Sequence, residues 1–253
     1  IEAVHAVERI ADTLNNETWL RSVQVEARRN TLRKTWQPCS PVDLLELALR
    51  PGCQLVRNAT DLQDAILGAL ALLEQRLQGE TPAAPELWNE ITTGVFKPKD
   101  ENHFSDWTKR HLEDFLVARG VVVAREVEIR RGEGAGKGEE TDIHVTALVP
   151  AVGSDAFQQV RVIIEVKGCW HSELKTAMRT QLVERYLRDN QCRHGIYLVG
   201  WFVCEQWDKQ DHRKRSTINW SLDGARLFLN QQAADLSKGG LCIRAAVINA
   251  ALR

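Results

Sequence analysis

Two carboxylates and a lysine lie in one short part of the chain, with a spacing that suits metal-dependent chemistry. Asp142 belongs to the run E-E-T-D-I-H-V-T-A-L-V-P, and Glu165 and Lys167 belong to the run V-R-V-I-I-E-V-K. Alternate residues of a strand share a face, so Glu165 and Lys167 lie on one face of the second run. The intervening residues can close a hairpin, and antiparallel pairing would place Asp142 beside Glu165. We therefore expect the three side chains to converge.

Such a group has the chemistry that phosphodiester hydrolysis needs, because negative charge accumulates on the phosphate oxygens in the transition state. Asp142 and Glu165 offer hard oxygen ligands for Mg²⁺ or Mn²⁺, and the backbone carbonyl of Val166 is a further candidate ligand. Lys167 can orient or help to deprotonate the attacking water. The alternative is a salt-bridge network at the protein surface, although the apolar neighbours V-I-I-E-V and G-C-W argue against it.

The composition is that of an ordinary globular protein, with 43% hydrophobic and 26% charged residues in 253. A net charge of −1 gives no bulk attraction to nucleic acid, so any phosphate contact must come from local clusters. The six cysteines form no C-x-x-C pair, which argues against structural zinc and favours reduced thiols in a cytoplasmic protein. No apolar run reaches the roughly 20 residues of a membrane span, so we expect no membrane partner.

The first part of the chain has helical periodicity. We expect residues 1–96 to form an α-helical segment, the tail of a larger helical region or a bundle, and residues 97–253 to form a separate domain. Thr60 is the predicted cap of a helix that begins D-L-Q-D-A-I-L, with Gln63 completing a capping box. Because the chain begins at Ile within a helical pattern, we also expect the remainder of a larger parent chain to precede it.

The second part predicts the element order α-β-β-β-α-β-α-β. Its first helix spans residues 100–119, with a predicted inward stripe of Phe104, Thr108, Leu112 and Phe115. The helix after E-V-K has apolar residues at i, i+4 spacing, and the run G-I-Y-L-V-G-W-F-V-C predicts a strand buried on both faces.

Thr141-Asp142, Glu165-Val166-Lys167 and this element order resemble the PD-(D/E)xK superfamily of restriction-endonuclease-like nucleases. The resemblance implies an α+β or α/β fold, in which the α-helical N-terminal segment precedes a restriction-endonuclease-like αβββαβ core with a mixed central sheet. It also implies Mg²⁺-dependent cleavage of DNA. Thr141 stands where the family usually has proline, a position that supplies no ligand.

The resemblance implies a further carboxylate from the first helix, and geometry selects Glu101 among the candidates. The helix is expected to run antiparallel to the strand that follows it, and about twenty helical residues match the length of a ten-residue strand, roughly 30 Å. The start of the helix should therefore lie near Asp142. The alternative is that Glu101 only stabilises the helix N-terminus. Some branches of the family also place a glutamine near the active site, followed by a tyrosine. Gln181, followed by Tyr186, is the corresponding candidate.

A basic cluster, His212, Arg213, Lys214 and Arg215, is a candidate nucleic-acid contact, because phosphates bind clustered cations and nearby tryptophans can stack bases. The alternative is a solvated loop. We interpret His144 as a packed core histidine rather than a base. The glycines of R-G-E-G-A-G-K-G match no phosphate-binding fingerprint and are interpreted as a hairpin loop.

Together these features predict a Mg²⁺-dependent deoxyribonuclease, the C-terminal effector domain of a larger bacterial protein of antiviral defence or DNA processing. The expected partners are DNA and the parent chain, with a homo-oligomer as a possibility. One alternative is a catalytically inactive nuclease-like module that binds nucleic acid or a partner protein. Another is a helical interaction domain whose C-terminal part is scaffold.

Overall fold

The structure is a computed structural model that describes residues 56–116, 121–130, 139–150 and 156–253, together with Val23, Glu26 and Asn30. The side chains at 125–130, 139–142 and 150 lie outside this description. Contacts divide the chain into two compact units, Ile1–Cys53 and Gln54–Arg253. Val23, Glu26 and Asn30 of the first unit are helical. The rest of the predicted N-terminal helical pattern up to residue 55, and the glycine loop at 131–138, fall outside the described residues.

The second unit contains helices on a β-sheet, in nearly the predicted order. Its elements are α1 Ala59–Gln78, β1 Trp88–Thr92, β2 Val95–Pro98, α2 Glu101–Leu116, β3 Val121–Arg130, β4 Glu139–Pro150, β5 Phe157–Gly168, α3 Met178–Leu187, β6 His194–Trp201, α4 His212–Ser216, α5 Leu222–Leu236 and β7 Cys242–Asn249. From α2 onward the prediction is confirmed, with the short α4 as an addition. The hydrogen bonds of α3 are of the π type.

The main sheet has five strands in the order β3-β4-β5-β6-β7. β4 pairs antiparallel with β5, in a register that sets Ile143 opposite Ile164, so the predicted hairpin pairing is confirmed. β6 pairs parallel with both β5 and β7. The protein therefore has an α/β fold with a mixed sheet, and β6 is buried along almost its whole length, as its continuous apolar sequence predicts.

Helices cover the sheet and bury its apolar side chains. α1 packs on β5, β6 and β7, while α2 packs on β3, β4 and β5. α3 packs on β5 and β6, and α5 packs on β7. The compact unit thus begins at Gln54, ahead of the boundary predicted between residues 96 and 97, because the apolar face of α1 is buried in the same core as the sheet. In the described residues, no helix has the length and apolar character to cross a membrane.

Three local predictions were wrong. The N-cap of α1 is Asn58, whose side chain accepts a hydrogen bond from the backbone N–H of Asp61, rather than Thr60. Gln63 forms no capping box: it is fully buried, and its Nε2 donates to the carbonyls of Gly195 and Cys242 on the sheet. On α2, Phe115 is 38% exposed.

A short hairpin, β1 and β2, precedes α2 at the end of the segment that was predicted to be helical, so that prediction was wrong for this part of the chain. The strands pair antiparallel, and Gly94 has a φ of 76° in the turn, a conformation that favours glycine. Most of its residues are exposed or half-buried, so the hairpin has no clear apolar alternation. Trp88 and Pro98 are the exceptions, and the buried ring of Trp88 donates through Nε1 to the carbonyl of Ala250.

Two glycines give opposite predictions for stability. A Cβ at Gly200 would lie 2.6 Å from the ring of Phe202 and 2.9 Å from that of Phe104, so Gly200→Ala is expected to lower the free energy of unfolding by about 1–3 kcal/mol. A Cβ at Gly68, inside α1, meets nothing within 4 Å, and Gly68→Ala is expected to raise it by about 0.5–1 kcal/mol. Urea unfolding of both variants measures the two changes in the free energy of unfolding. Equal changes would contradict the close packing at Gly200 and the open space at Gly68.

Candidate active site

The end of β5 carries a buried ion pair. Lys167 Nζ lies 2.7 Å from Glu165 Oε1, and the two residues are 8% and 1% exposed. Burying two charges costs several kcal/mol per ion even when they are paired, so such a pair is weak evidence for stability. The alternative of a surface salt-bridge network is therefore wrong for Glu165 and Lys167. The end of β5 around the pair is otherwise apolar, and a buried ionisable pair in such surroundings marks a candidate functional site.

The register of β6 shows which face of the sheet carries this pair. Gly195 pairs with Ile163, and a Cβ at Gly195 would lie 3.1 to 3.2 Å from leucine side chains of α3. Glu165 and Lys167 follow Ile163 at steps of two residues, so they lie on the same face as α3. The side chain of Val166 lies on the opposite face and is 1% exposed. Because valine has no side-chain donor atom, its candidate ligand is the backbone carbonyl.

The backbone of Asp142 lies at the level of Glu165. Asp142 directly precedes Ile143 in β4, Glu165 directly follows Ile164 in β5, and Ile143 and Ile164 are paired. The antiparallel arrangement that would bring the two carboxylates together is thus present in the backbone. The side chain of Asp142 lies outside the described residues, and its convergence with Glu165 stays a prediction.

Glu101, the first residue of α2, lies at the end of β5. Its Oε1 accepts a hydrogen bond of 2.8 Å from the backbone N–H of Gly168, the residue after Lys167. The start of this helix therefore lies at the end of β5, and its predicted proximity to Asp142 stays a prediction. A hydrogen bond to a carboxylate is charge-assisted and stronger than a neutral one, so it ties the helix start to the strand end. A role for Glu101 as a metal ligand stays a prediction.

Gln181 lies near the start of α3, and its Nε2 donates to Glu173 Oε2 at 2.6 Å. This contact joins the helix to the turn before it and does not reach Glu165 or Lys167. Tyr186, farther along α3, is 7% exposed and packs in the core. The catalytic role of Gln181 stays a prediction.

The basic cluster divides into internal and exposed members. Lys214 Nζ donates to the carbonyls of Cys204 and Trp207, at 3.1 and 2.6 Å. Arg213 pairs with Asp211 at 2.8 Å, and its guanidinium lies over the ring of Trp170. The side chain of His212, in contrast, is 83% exposed. Residues 212–215 belong to the helix α4 rather than to the loop considered as an alternative. Arg213 and Lys214 tie this helix to the rest of the protein, which the sequence did not reveal.

Arg215 is the remaining member, and its guanidinium donates to the carbonyl of Gln210 at 3.2 Å from an exposed position. Nucleic-acid binding by residues 212–215 stays a prediction. His212 and Arg215 are the members best placed to reach a phosphate from outside the protein.

Asp211 anchors the start of α4 through a buried carboxylate. Burial alone would raise its pKa, but hydrogen bonds from Arg213 and from Trp207 Nε1 outweigh that effect and lower the pKa to about 2. The carboxylate therefore stabilises the fold fully above pH 3.8, its ordinary pKa, and this contribution is lost as the pH falls towards 2.

Asp211→Asn is accordingly expected to lower the free energy of unfolding by roughly 1–2 kcal/mol near neutral pH, a difference that shrinks as the pH falls below about 4. Urea unfolding from about pH 6 to pH 3 measures this difference. Asp235→Asn is a matched control, because its carboxylate is 60% exposed. A difference that stays constant with pH would contradict the role given to Asp211.

His144, opposite Ile163 in β4, is half-buried. Burial lowers its pKa, and the nearby charge of Arg161 lowers it further, so its imidazole is neutral at physiological pH. The interpretation of His144 as a packed histidine agrees with this environment.

The sequence did not point to a polar depression of about 390 Å³ beside the start of α2. It is lined by Asn89, Lys99, Asp100, Asn102, His103 and Asp106. The three lining residues on α2 lie on its polar face, away from Phe104, which is a signal that helical periodicity could have supplied.

Within the described side chains, no three His, Cys, Asp or Glu residues are grouped closely enough to hold a metal ion. Glu101 and Glu165 are the predicted ligands whose side chains are covered by that statement, and Asp142 is not. A group of three carboxylate ligands here would therefore need Asp142.

No curated protein and no solved structure matches the chain. Residues 83–203 match the family model described as a domain of unknown function, DUF8371. The match runs from just before the β1-β2 hairpin to just after β6. It therefore takes in Glu101, the buried pair and Gln181, and it leaves out the basic cluster at residues 212–215.

Proposed function

We propose that this chain is a metal-dependent nuclease that hydrolyses DNA phosphodiester bonds on a restriction-endonuclease-like core. The order α2-β3-β4-β5-α3-β6 supports the proposal, since it is the αβββαβ order of that core. The observation that carries it is the buried Glu165–Lys167 pair at the end of β5, where the carboxylate of Glu101 binds the next backbone N–H, that of Gly168.

The donor set fits Mg²⁺ or Mn²⁺. Glu165 and Glu101 offer carboxylate oxygens at the end of one strand, the Val166 carbonyl lies between Glu165 and Lys167, and the register allows Asp142 to join them. Hard oxygen donors are the ligands that these cations prefer, and no soft donor is needed. The bound cation would neutralise negative charge on the phosphate oxygens.

Lys167 would act on the nucleophile. Its ammonium is held 2.7 Å from Glu165, so its position at the strand end is defined before substrate binds. From there it would donate hydrogen bonds to the attacking water and to the scissile phosphate, and it would offset the charge that builds up there. Glu165 has a second role as the residue that orients Lys167.

The rival candidate is a nuclease-like module that binds nucleic acid or protein without cutting. It is favoured by the lack of a group of three metal-ligating residues among the described side chains. Isothermal titration with Mn²⁺ separates the two functions. The nuclease proposal expects a saturable site in the wild type that Glu165→Gln removes and that Glu184→Gln, a change at an exposed position on α3, leaves in place. A wild type without any such site would contradict the proposal.

A further inference from the structure

The strand β2, which leads into Glu101, is joined to the loop between β6 and α4. The backbone N–H of Phe96 donates to the carbonyl of Gln206 at 2.9 Å, and that of Asp208 donates to the carbonyl of Phe96 at 2.8 Å. Lys97 adds an ion pair with Asp208 at 3.1 Å. These contacts join β2 to a loop that lies more than a hundred residues later in the sequence.

Arg213 contacts the chain on both sides of the hydrogen bond between Glu101 and Gly168. One of its guanidinium nitrogens donates to the carbonyl of Lys99, two residues before Glu101, at 3.4 Å. The guanidinium carbon Cζ lies over the ring of Trp170, two residues after Gly168, 5.2 Å from the ring centroid. The same side chain therefore touches the segment that enters α2 and the segment that leaves β5.

The guanidinium is itself held in place. Its Nε and one terminal nitrogen donate to the carboxylate of Asp211, which is 4% exposed and also accepts from the indole N–H of Trp207. A two-point contact between arginine and a carboxylate fixes the plane of the guanidinium, whereas lysine would give only a point charge. Its orientation towards Lys99 and Trp170 is therefore set by the protein.

We propose that Arg213 is a positioning residue, which holds the carboxylate of Glu101 against the end of β5. The contact between Glu101 and Gly168 depends on where α2 begins, and Arg213 binds the residues on both sides of it. The consequence for metal binding rests on the proposed nuclease function, in which Glu101 is a ligand. The positioning itself is a property of the fold and can be measured without substrate.

Hydrogen exchange at the backbone amide of Gly168, followed by NMR, tests the positioning directly. Arg213→Met keeps the apolar stem and removes the guanidinium, and it is expected to speed exchange at Gly168 by at least about tenfold. Exchange at Leu198, in the middle of β6, should stay unchanged, because its hydrogen bonds belong to the sheet. Glu101→Gln should accelerate Gly168 in the same way, and Arg188→Met, whose side chain is 70% exposed, should have no effect.

Equal acceleration of exchange at Gly168 and Leu198 would overturn the inference, because it would mean that the whole protein is destabilised. No acceleration at either amide would also overturn it, because Arg213 would then have no effect on the contact between Glu101 and Gly168. Arg213→Lys provides a second variant that keeps the charge, and it should give acceleration between the wild type and Arg213→Met. If Arg213→Met does not fold, Arg213→Lys carries the test, and unchanged Gly168 exchange in it would count against positioning.

Mn²⁺ titration of the same variants links the positioning to the site. Arg213→Met is expected to weaken Mn²⁺ affinity about tenfold, as is typical when the support of a metal ligand is lost, while Arg188→Met leaves it unchanged. Faster exchange at Gly168 in a protein whose wild type binds no Mn²⁺ would sustain the positioning role and overturn the nuclease proposal. Unchanged exchange would overturn the positioning role whatever the metal does.

Discussion

Replacing Lys167 by Met is expected to slow metal-dependent DNA cleavage by about a thousandfold, within the range that a positioned proton-transfer or charge-stabilising group contributes. The same change should lower the free energy of unfolding by about 3–5 kcal/mol, because Glu165 remains 1% exposed and loses the cation at its Oε1. Single-turnover cleavage assays and urea unfolding measure the two effects on one protein preparation.

The double variant Glu165→Met, Lys167→Met separates activity from stability. Apolar residues of similar volume remove both buried charges, so the double variant is expected to unfold at a higher urea concentration than either single variant. It should nevertheless be inactive, because ligand and lysine are both lost. Additive destabilisation by the two changes would contradict the buried-pair account, and cleavage by the double variant would contradict the role of the pair in catalysis.

Asp142→Asn is expected to reduce cleavage by a factor of about a hundred to a thousand and to weaken Mn²⁺ binding, since a lost carboxylate ligand removes several kcal/mol of charge stabilisation. In the metal-free protein, the same change should not lower the stability of the fold. Residues opposite one another on paired strands have their Cβ atoms about 5 Å apart, and like charges there are destabilising. The melting temperature without metal should therefore stay the same or rise.

Calorimetric melting with and without Mn²⁺ measures both effects of this change. Asp235→Asn, at an exposed position on α5, is the matched control and should leave cleavage and metal binding unaltered. An Asp142→Asn protein that melts well below the wild type in the absence of metal, yet binds Mn²⁺ normally, would identify Asp142 as a structural residue.

The parts of the fold that could be predicted are those whose physics is local. The alternation of β4 and β5 and the continuous apolar run of β6 are visible in the sequence because strand faces repeat every two residues and a doubly buried strand has no polar face. The pairing of β4 with β5 follows from their short connection. The face shared by Glu165 and Lys167 follows from the same alternation.

The parts that could not be predicted depend on partners far away in the sequence. β1 and β2 have little apolar alternation, and β2 is held by backbone contacts to the loop around Gln206. Arg213 and Lys214 belong to a charge run of the kind that usually covers a solvated face, yet they bind carbonyls of Lys99 and Cys204. Gln63 had the spacing of a capping box, and its amide instead reaches the carbonyls of the sheet.

The start of α2 falls between these two cases. Matching helix length to strand length predicted that Glu101 lies near Asp142, and the structure places Glu101 at the end of β5 through its hydrogen bond to Gly168. The contacts of Arg213 on either side of that bond involve residues from three separate parts of the chain. Such a junction is determined by the fold and leaves no periodic signal in the sequence.

Cleavage of supercoiled DNA is the most direct test of the central claim, with linear DNA and RNA assayed beside it. The wild type should produce nicked and linear products in Mg²⁺ or Mn²⁺ and none in EDTA, and the folded Glu165→Met, Lys167→Met variant should produce none in either metal. Cleavage by the double variant at the wild-type rate, or a wild type that cuts no nucleic acid with any divalent metal, would contradict the assignment of the β5 site as a nuclease centre.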